Sequence, residues 1–463
     1  MKDKKQRNMS KRHYNPALLL FLFVLTLGSF SLQAQNTRGG SQTRSLTVED
    51  AIGLAKKNNL SVKNALLDLQ IQEQSNKSIT AGALPAISGT AGTTAFFQTP
   101  VTIVPGEFFG GAPGSTIAVS FQPKYAASAG VQLDQAIFDG QVFVGLKARK
   151  SSIDYYKKAI DLTVENITVN VYKIYYQLVV SKTQMLLINA NIERAEKLLK
   201  DTRAMYDNGF AEKLDVDKAT VQLANLESTK ENTQTSINNG YLGLKYLMGV
   251  PSADSISLVS DFNEDDLEQG ITLDSGYRYE ERLDYQSLQI SRQLSDFNIR
   301  RYKALYYPTL NLTAAYQKNA YNNTYDFFSK SGNWYSTSYA GVSLKVPIFS
   351  GFQKDADLKK AKLQAAQVQN QIEDLKLNIE NQVSQARNTF FSAIATMDNQ
   401  KGNSALAESV YNQTKKKFES GLASNTELTK SQTDLIEAQT NYINALYNAV
   451  IAKIDYLKAI GKI

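Results

Sequence analysis

The chain has no cysteine, and its single histidine, His13, falls in a basic and apolar leader. The body therefore lacks both residues. That excludes disulfides, thiol nucleophiles, imidazole acid–base catalysis and His/Cys metal centres together. Carboxylate catalysis survives in principle, but no catalytic pair converges in the sequence. No catalytic residue, metal ligand or cofactor site is expected. Surplus charge is scarce as well. Six basic residues and Asp3 account for most of the net +7, leaving 45 basic against 43 acidic residues elsewhere. This balance excludes a nucleic-acid-binding stripe. Long apolar runs are also missing beyond the leader, so a membrane-embedded body would have to be a closed β-barrel.

Lys2, Lys4, Lys5, Arg7, Lys11 and Arg12 precede the apolar run Leu18–Leu27, and Leu32-Gln33-Ala34 offers a small exit residue. Residues 1–34 fit a signal peptide cleaved after Ala34. The alternative, an uncleaved anchor, needs ~20 apolar residues. No cysteine follows the cleavage point, which excludes N-terminal lipidation. Residues 35–45 are polar and expected to be flexible.

What is present is a duplication. Phe138-Asp139-Gly140 and Phe349-Ser350-Gly351 each open a helical run, and the runs end at Asn208-Gly209 and Ser420-Gly421, spans of 69 and 70 residues. Each is followed by a 40-residue leg, to Gly249 or Gly461. At ~1.5 Å per residue the longer runs reach roughly 100 Å, far beyond ordinary globular helices. Shorter helices precede them, from Thr47 to about Gly82 and from about Tyr277 to Tyr306, each stopping before a proline, Pro85 or Pro308. The first repeat is 46–250, the linker 251–276 and the second repeat 277–463. The linker is polar and acidic and is expected outside the tube near mid-height.

Each proline is followed by a period-two pattern. Ala127, Ala129, Val131 and Leu133 alternate with Ser128, Gly130, Gln132 and Asp134; Leu310, Leu312 and Ala314 alternate with Asn311 and Thr313; Val342, Leu344 and Val346 alternate with Ser343 and Lys345. One apolar and one small polar face is the pattern of a membrane barrel strand. Strands are expected at about 86–97, 126–138, 309–318 and 338–348, the first by analogy with its repeat partner. The loops between them are aromatic: Phe108, Phe109 and Phe121 in the first, Tyr321, Tyr325, Phe327, Phe328, Trp334 and Tyr335 in the second. Pro85 and Pro308 are 223 residues apart, but later landmarks only 211–212, so the first loop is about a dozen residues longer.

The first long helix carries a heptad seam, including Ile160, Val164, Ile167, Val171, Ile174 and Leu178. Ile379, Val383, Phe390, Ile394 and Met397 in the second are instead spaced nearer an eleven-residue repeat, which relaxes or reverses the supercoil. The final helix has two seams, Leu428-Leu435-Tyr442-Ala449-Tyr456 and Thr429-Ile436-Ile443-Val450-Leu457. Two seams suit a stave in a cylinder packed on both sides; a compact bundle with a broad core is the alternative. Phe138, Tyr306, Tyr307 and Phe349 sit where strands meet helices and fit either junction core or an interfacial aromatic girdle.

Two tandem copies of helix, Pro, strand, loop, strand, Phe-x-Gly, long helix, Gly tip and second helix resemble the TolC-like outer-membrane efflux proteins. Leu46-Thr47-Val48-Glu49-Asp50-Ala51-Ile52 resembles the family's opening, and Lys417-Phe418-Glu419-Ser420-Gly421-Leu422-Ala423-Ser424 its second tip. The resemblance covers about 46–461. It implies an all-α body plus membrane β: duplicated long-helix hairpins forming a trimeric α-helical barrel in the periplasm, continuous with a 12-stranded β-barrel of four strands per chain. It further implies a homotrimer in outer-membrane lipid that acts as the passive exit duct of a tripartite efflux or type I secretion system. The implied partners are a periplasmic adaptor and an inner-membrane transporter. The competing reading is a secreted coiled-coil scaffold or stalk without a pore.

The resemblance also implies two sites. Gly209, Phe210, Ala211, Gly421, Leu422, Ala423 and Ser424 would form the periplasmic tip that meets the adaptor; plain turn chemistry is the alternative for the glycines. Asp215, Asp217, Glu427 and Lys430 would form the periplasmic gate, or else are solvated charges. Asp215 and Glu427 match acidic positions of the family's closed entrance. The chain departs from the pattern at Ala423, where arginine is expected, and at Lys430, where an acid is expected. This leaves Asp215 or Asp217 with Lys430 as the expected tie.

Overall fold

A computed structural model of the protein describes residues 44–259, 267, 277–329 and 333–463. The expected signal peptide, nearly all of the flexible start and most of the linker lie outside the described residues. The elements are β1 (Arg44–Leu46), α1 (Val48–Asn58), α2 (Leu60–Ala81), β2 (Ala86–Ala95), β3 (Thr102–Pro105), β4 (Thr116–Val119), β5 (Tyr125–Phe138), α3 (Gly140–Asp207), α4 (Lys213–Met248), β6 (Ile256–Leu258), α5 (Leu283–Ala304), β7 (Thr309–Asn322), β8 (Trp334–Lys345), α6 (Gln353–Glu419) and α7 (Asn425–Ala459).

The two long helices α3 and α6 have 68 and 67 residues. Helix α7 packs against both α6 and α3, and Leu428 and Leu435 of its first seam share one cluster with Leu198 of α3 and Tyr411 of α6. Leu435, Ala449, Ile443 and Val450 are all buried. The core of α3 begins lower than the heptads suggest, with buried side chains from Thr168 to Thr202 and none at Ile160 or Val164. Away from the strands, α4 and α7 flank α3; toward the strands, α2 and α5 take those places.

The exchange between layers happens at two splices. The expected first helix, Thr47 to Gly82, is in fact two helices. It breaks at Asn59, whose ψ of 132° is extended and whose Oδ1 accepts from Ser61 N at 2.8 Å. The same Asn59 donates from Nδ2 to Leu247 O at 2.8 Å, satisfying a carbonyl at the end of α4. In the second repeat Arg282 precedes α5 and donates from Nη1 to Ala459 O at 2.9 Å, at the end of α7. The matching helix thus starts at Leu283, not Tyr277. Gly249, just past α4, has φ +62°, and a Cβ there would lie 2.6 Å from Asn58 O. Only glycine fits that turn.

Strands β2, β5, β7 and β8 form one antiparallel sheet in that order. The central β5–β7 pair joins the two repeats. Cross-strand rows such as Ile87/Leu133/Ala314/Ala340 make one face apolar, and rows such as Ser88/Gln132/Ala315/Tyr339 make the other largely polar. Polar-face Thr313 Oγ1 donates to Asp134 Oδ1 at 3.0 Å.

The strand ends differ from expectation. β7 runs on to Asn322 and β8 is Trp334–Lys345, so Tyr321, Trp334 and Tyr335 are strand residues. β8 ends before Pro347, which has no N–H for the ladder. β2 ends at Ala95, two residues short of the expected end. The longer first loop contains its own hairpin, β3–β4. In the linker region β6 pairs with β1, and Tyr175 Oη lies 2.6 Å from Val259 O and 3.1 Å from Leu46 O.

Candidate functional site

The end of the chain farthest along the helices from the sheet carries two turns of the same construction. After α3, Gly209 takes φ +80° and Phe210 N donates back to Met205 O at 2.8 Å. After α6, Gly421 takes φ +74° and Leu422 N donates to Lys417 O at 2.8 Å. This six-to-one closure normally tucks the apolar residue after glycine onto the helix. Here Phe210 and Leu422 are 83% and 80% exposed, so each turn presents an apolar side chain to solvent. Ala211 and Ala423 beside them are half-buried, and Ser424 is exposed.

The acidic residues stand at matching positions, third in α4 and third in α7. Glu427 closes a capping box, accepting from Ser424 N at 2.7 Å while Glu427 N donates to Ser424 Oγ. The Ser424 backbone N–H, then its hydroxyl, hold the Glu427 carboxyl below the usual range. Asp215 has no such box, because the matching cap residue is Glu212, and its charged neighbour is Lys218 at 3.9 Å. Asp217 is exposed. The expected tie of Asp215 or Asp217 to Lys430 is not what Lys430 makes within the chain: its Nζ lies 2.5 Å from Asp434, one helical turn along α7. The i,i+4 partner is always within reach, whereas α4 and α7 are separated by α3 along most of their length.

The contacts that do join the two hairpins lie between α3 and α7, and the sequence reading missed them. Buried Asn191 donates from Nδ2 to Gln439 Oε1 at 2.8 Å. Arg194 Nη1 donates to Asn191 Oδ1 at 2.7 Å, and its guanidinium sits 5.8 Å from the ring centre of Tyr411 on α6. Nearer the tip, Thr202 Oγ1 lies 3.4 Å from Asn425 Oδ1. Between these layers Leu198, Leu428, Leu435 and Tyr411 form a small apolar cluster. Burial raises the Tyr411 hydroxyl above its ordinary pKa, partly opposed by Arg194. The apolar seam passes through Ile188, Ile192 and Ala195 and skips Asn191, so the spacing carried no signal for this tie.

The strand–helix aromatics lie on the surface of the chain rather than in its own core: Phe138, Tyr306, Tyr307 and Phe349 are all exposed. Phe138 meets Phe143 in a tilted contact at 5.6 Å, and Phe349 meets Phe352 edge-on at 5.5 Å.

The model of the outer membrane efflux protein family matches residues 51–250 and 279–462. The chain belongs to the outer membrane efflux protein family. Both matched segments fall on the duplicated helix–sheet units, and together they take in both tips and the α3–α7 seam. The chain is 21% identical over 345 residues to outer membrane protein TolC of Vibrio cholerae, covering 72% of this chain and 76% of that protein. Its fold is that of solved outer-membrane channels. CusC superposes with a TM-score of 0.73 at 17% identity over 89% of this chain and 92% of that one. The open state of MtrE from Neisseria gonorrhoeae superposes at 0.70 and 16% identity over 89% and 88%. The protein is thus an outer-membrane exit duct of an efflux system. Family membership sets aside the pore-less stalk and places the chain among transport proteins.

Proposed function

We propose that three copies close into a 12-stranded barrel in outer-membrane lipid and a helical barrel beneath it, through which cargo leaves passively. The observation that carries this reading is the pair of open sheet edges. β2 and β8 are each bonded on one side only, and nearly every residue of both is exposed. Bare edges are not viable in hydrocarbon. Four alternating strands leave β2 and β8 running in opposite senses, so β8 of one copy continues the antiparallel ladder onto β2 of the next. The symmetry closes a heterologous contact into a ring. The apolar face then meets lipid and the polar face water.

At the other end, the repeats 46–250 and 277–463 present Phe210 and Leu422 on paired tips for a periplasmic adaptor, which links the duct to an inner-membrane transporter. Asp215, Asp217, Glu427 and Lys430 stand one or two turns above those tips as the gate. Threefold symmetry turns each inward carboxylate into a ring that favours cations.

The test is disulfide trapping. Cysteines are scanned pairwise along β2 and β8 of a chain that has none of its own. Oxidation should give a ladder ending at trimers in detergent. A particle of monomer mass, or no cross-link at any register, overturns the assembly.

A further inference from the structure

Among the described residues of the four main strands, the apolar face carries one charged side chain, Lys318. It stands in register with Ala129 on β5 and Ser336 on β8. Lys318 is exposed and lines a groove of about 800 Å³ with Tyr316, Phe328 and Trp334, over a floor of Gly89, Ala91 and Ala129. The neighbouring rows of this face, Gly89/Val131/Tyr316/Ser338 and Thr93/Ala127/Ala320/Trp334, offer no carboxylate.

The height of the groove follows from the β7–β8 loop, which folds back onto this face. Phe327 is buried against Ala127 and Ala320, and Trp334 Nε1 donates to Phe327 O at 3.0 Å. Tyr325 meets Tyr125 edge-on at 5.7 Å. Such a belt of rings belongs at a membrane–water boundary. Lys318 lies nine residues past Thr309, the residue nearest the helices. That is ~30 Å along the strand, or ~23 Å of height at a tilt of ~40°, near the top of a ~25 Å apolar band. From there the four-carbon stem can lift its ammonium to the headgroups.

We propose that this groove binds the phosphate-bearing head of an outer-leaflet lipid. Lys318 contacts the phosphate, the three rings flank the head, and the glycine–alanine floor seats the first part of an acyl chain. The inference rests on the membrane-barrel reading above, and three copies give three such sites.

Native mass spectrometry of the detergent-solubilised protein tests it, because one spectrum reports both subunit number and bound lipid. The probes are a bisphosphorylated lipid A, its dephosphorylated form and inorganic phosphate. The expected result is a trimer that binds up to three phosphorylated lipids and prefers them over the dephosphorylated form. Lys318→Ala should weaken binding roughly fivefold, Lys318→Arg should retain it, and inorganic phosphate should fail to displace it. Equal binding of both lipids, displacement by inorganic phosphate, or an unaffected Lys318→Ala overturns the site while leaving the trimer intact. A monomer mass overturns the assembly itself.

Discussion

Asn59 and Arg282 hold the same place in the two repeats, 223 residues apart, and each ties the start of one helix to the free carbonyl ending another. Their acceptors, Leu247 O and Ala459 O, are likewise equivalent, 212 residues apart. The chemistry differs but the task is one: to splice two helices end to end without an orphan carbonyl. Arg282 does more, since it also grips Asp284 at 2.6 Å and reaches Gln382 at 3.3 Å. Asn59→Ala should therefore cost ~1–2 kcal/mol, and Arg282→Met ~2–3 kcal/mol, because it also removes the charged partner of Asp284. Chemical unfolding of the solubilised protein measures both. Arg278→Met, at a largely exposed side chain, is the control and should change little. Equal losses at positions 278 and 282 would refute the splice.

The Asn191–Gln439 bond is the buried polar tie between the hairpins. Gln439→Leu alone leaves Asn191 facing an apolar partner and should destabilise by ~1–3 kcal/mol. Asn191→Leu with Gln439→Leu should recover part of that loss. A double-mutant cycle in unfolding free energy checks it, and strict additivity would show that the pair is not coupled.

Glu427 makes the second tip sensitive to acid. Its folded pKa is depressed, so the stabilisation it adds is present above the ordinary glutamate range and is lost as pH falls through the lower folded value. The melting temperature of Glu427→Ala should lie below wild type at neutral pH and converge with it in acid. A gap that persists unchanged at low pH would assign the effect to something other than the carboxylate.

For the gate, Asp215→Ala combined with Glu427→Ala should alter single-channel conductance or cation preference in planar bilayers. If both quantities match wild type, these carboxylates do not line the constriction.

Phe210→Asp and Leu422→Asp should leave folding within about 0.5 kcal/mol of wild type, because surface changes away from packed features cost little. Export should nonetheless fall. Melting curves and efflux assays in a deletion strain separate the two effects, and undiminished efflux from the double variant would remove the tips from adaptor contact.

Much of the helical layout was visible in advance because glycine, proline and seven-residue spacing act locally. Gly209 and Gly421 mark turns whose backbone admits little else, and the wide apolar face of α7 agrees with its packing against both α3 and α6. The splice at Asn59 was not visible. An asparagine inside a helical pattern is unremarkable until a carbonyl from 188 residues away arrives to meet it. The α3–α7 ties were hidden for the same reason: Asn191 gains its meaning from Gln439, 248 residues later. Strand ends were misplaced where aromatics suggested loop, since Trp334 and Tyr335 suit a pleated edge as well as a turn.

The composition of β2 bears on how a newborn copy survives its journey. The strand reads Ala-Ile-Ser-Gly-Thr-Ala-Gly-Thr-Thr-Ala, with Ile87 its one bulky apolar side chain. In a single copy the backbone borders of β2 and β8 are both unpaired, an invitation to wrong pairings. With four small residues, two glycines and one bulky side chain, this border offers a mistaken partner the backbone ladder but little side-chain contact to hold it.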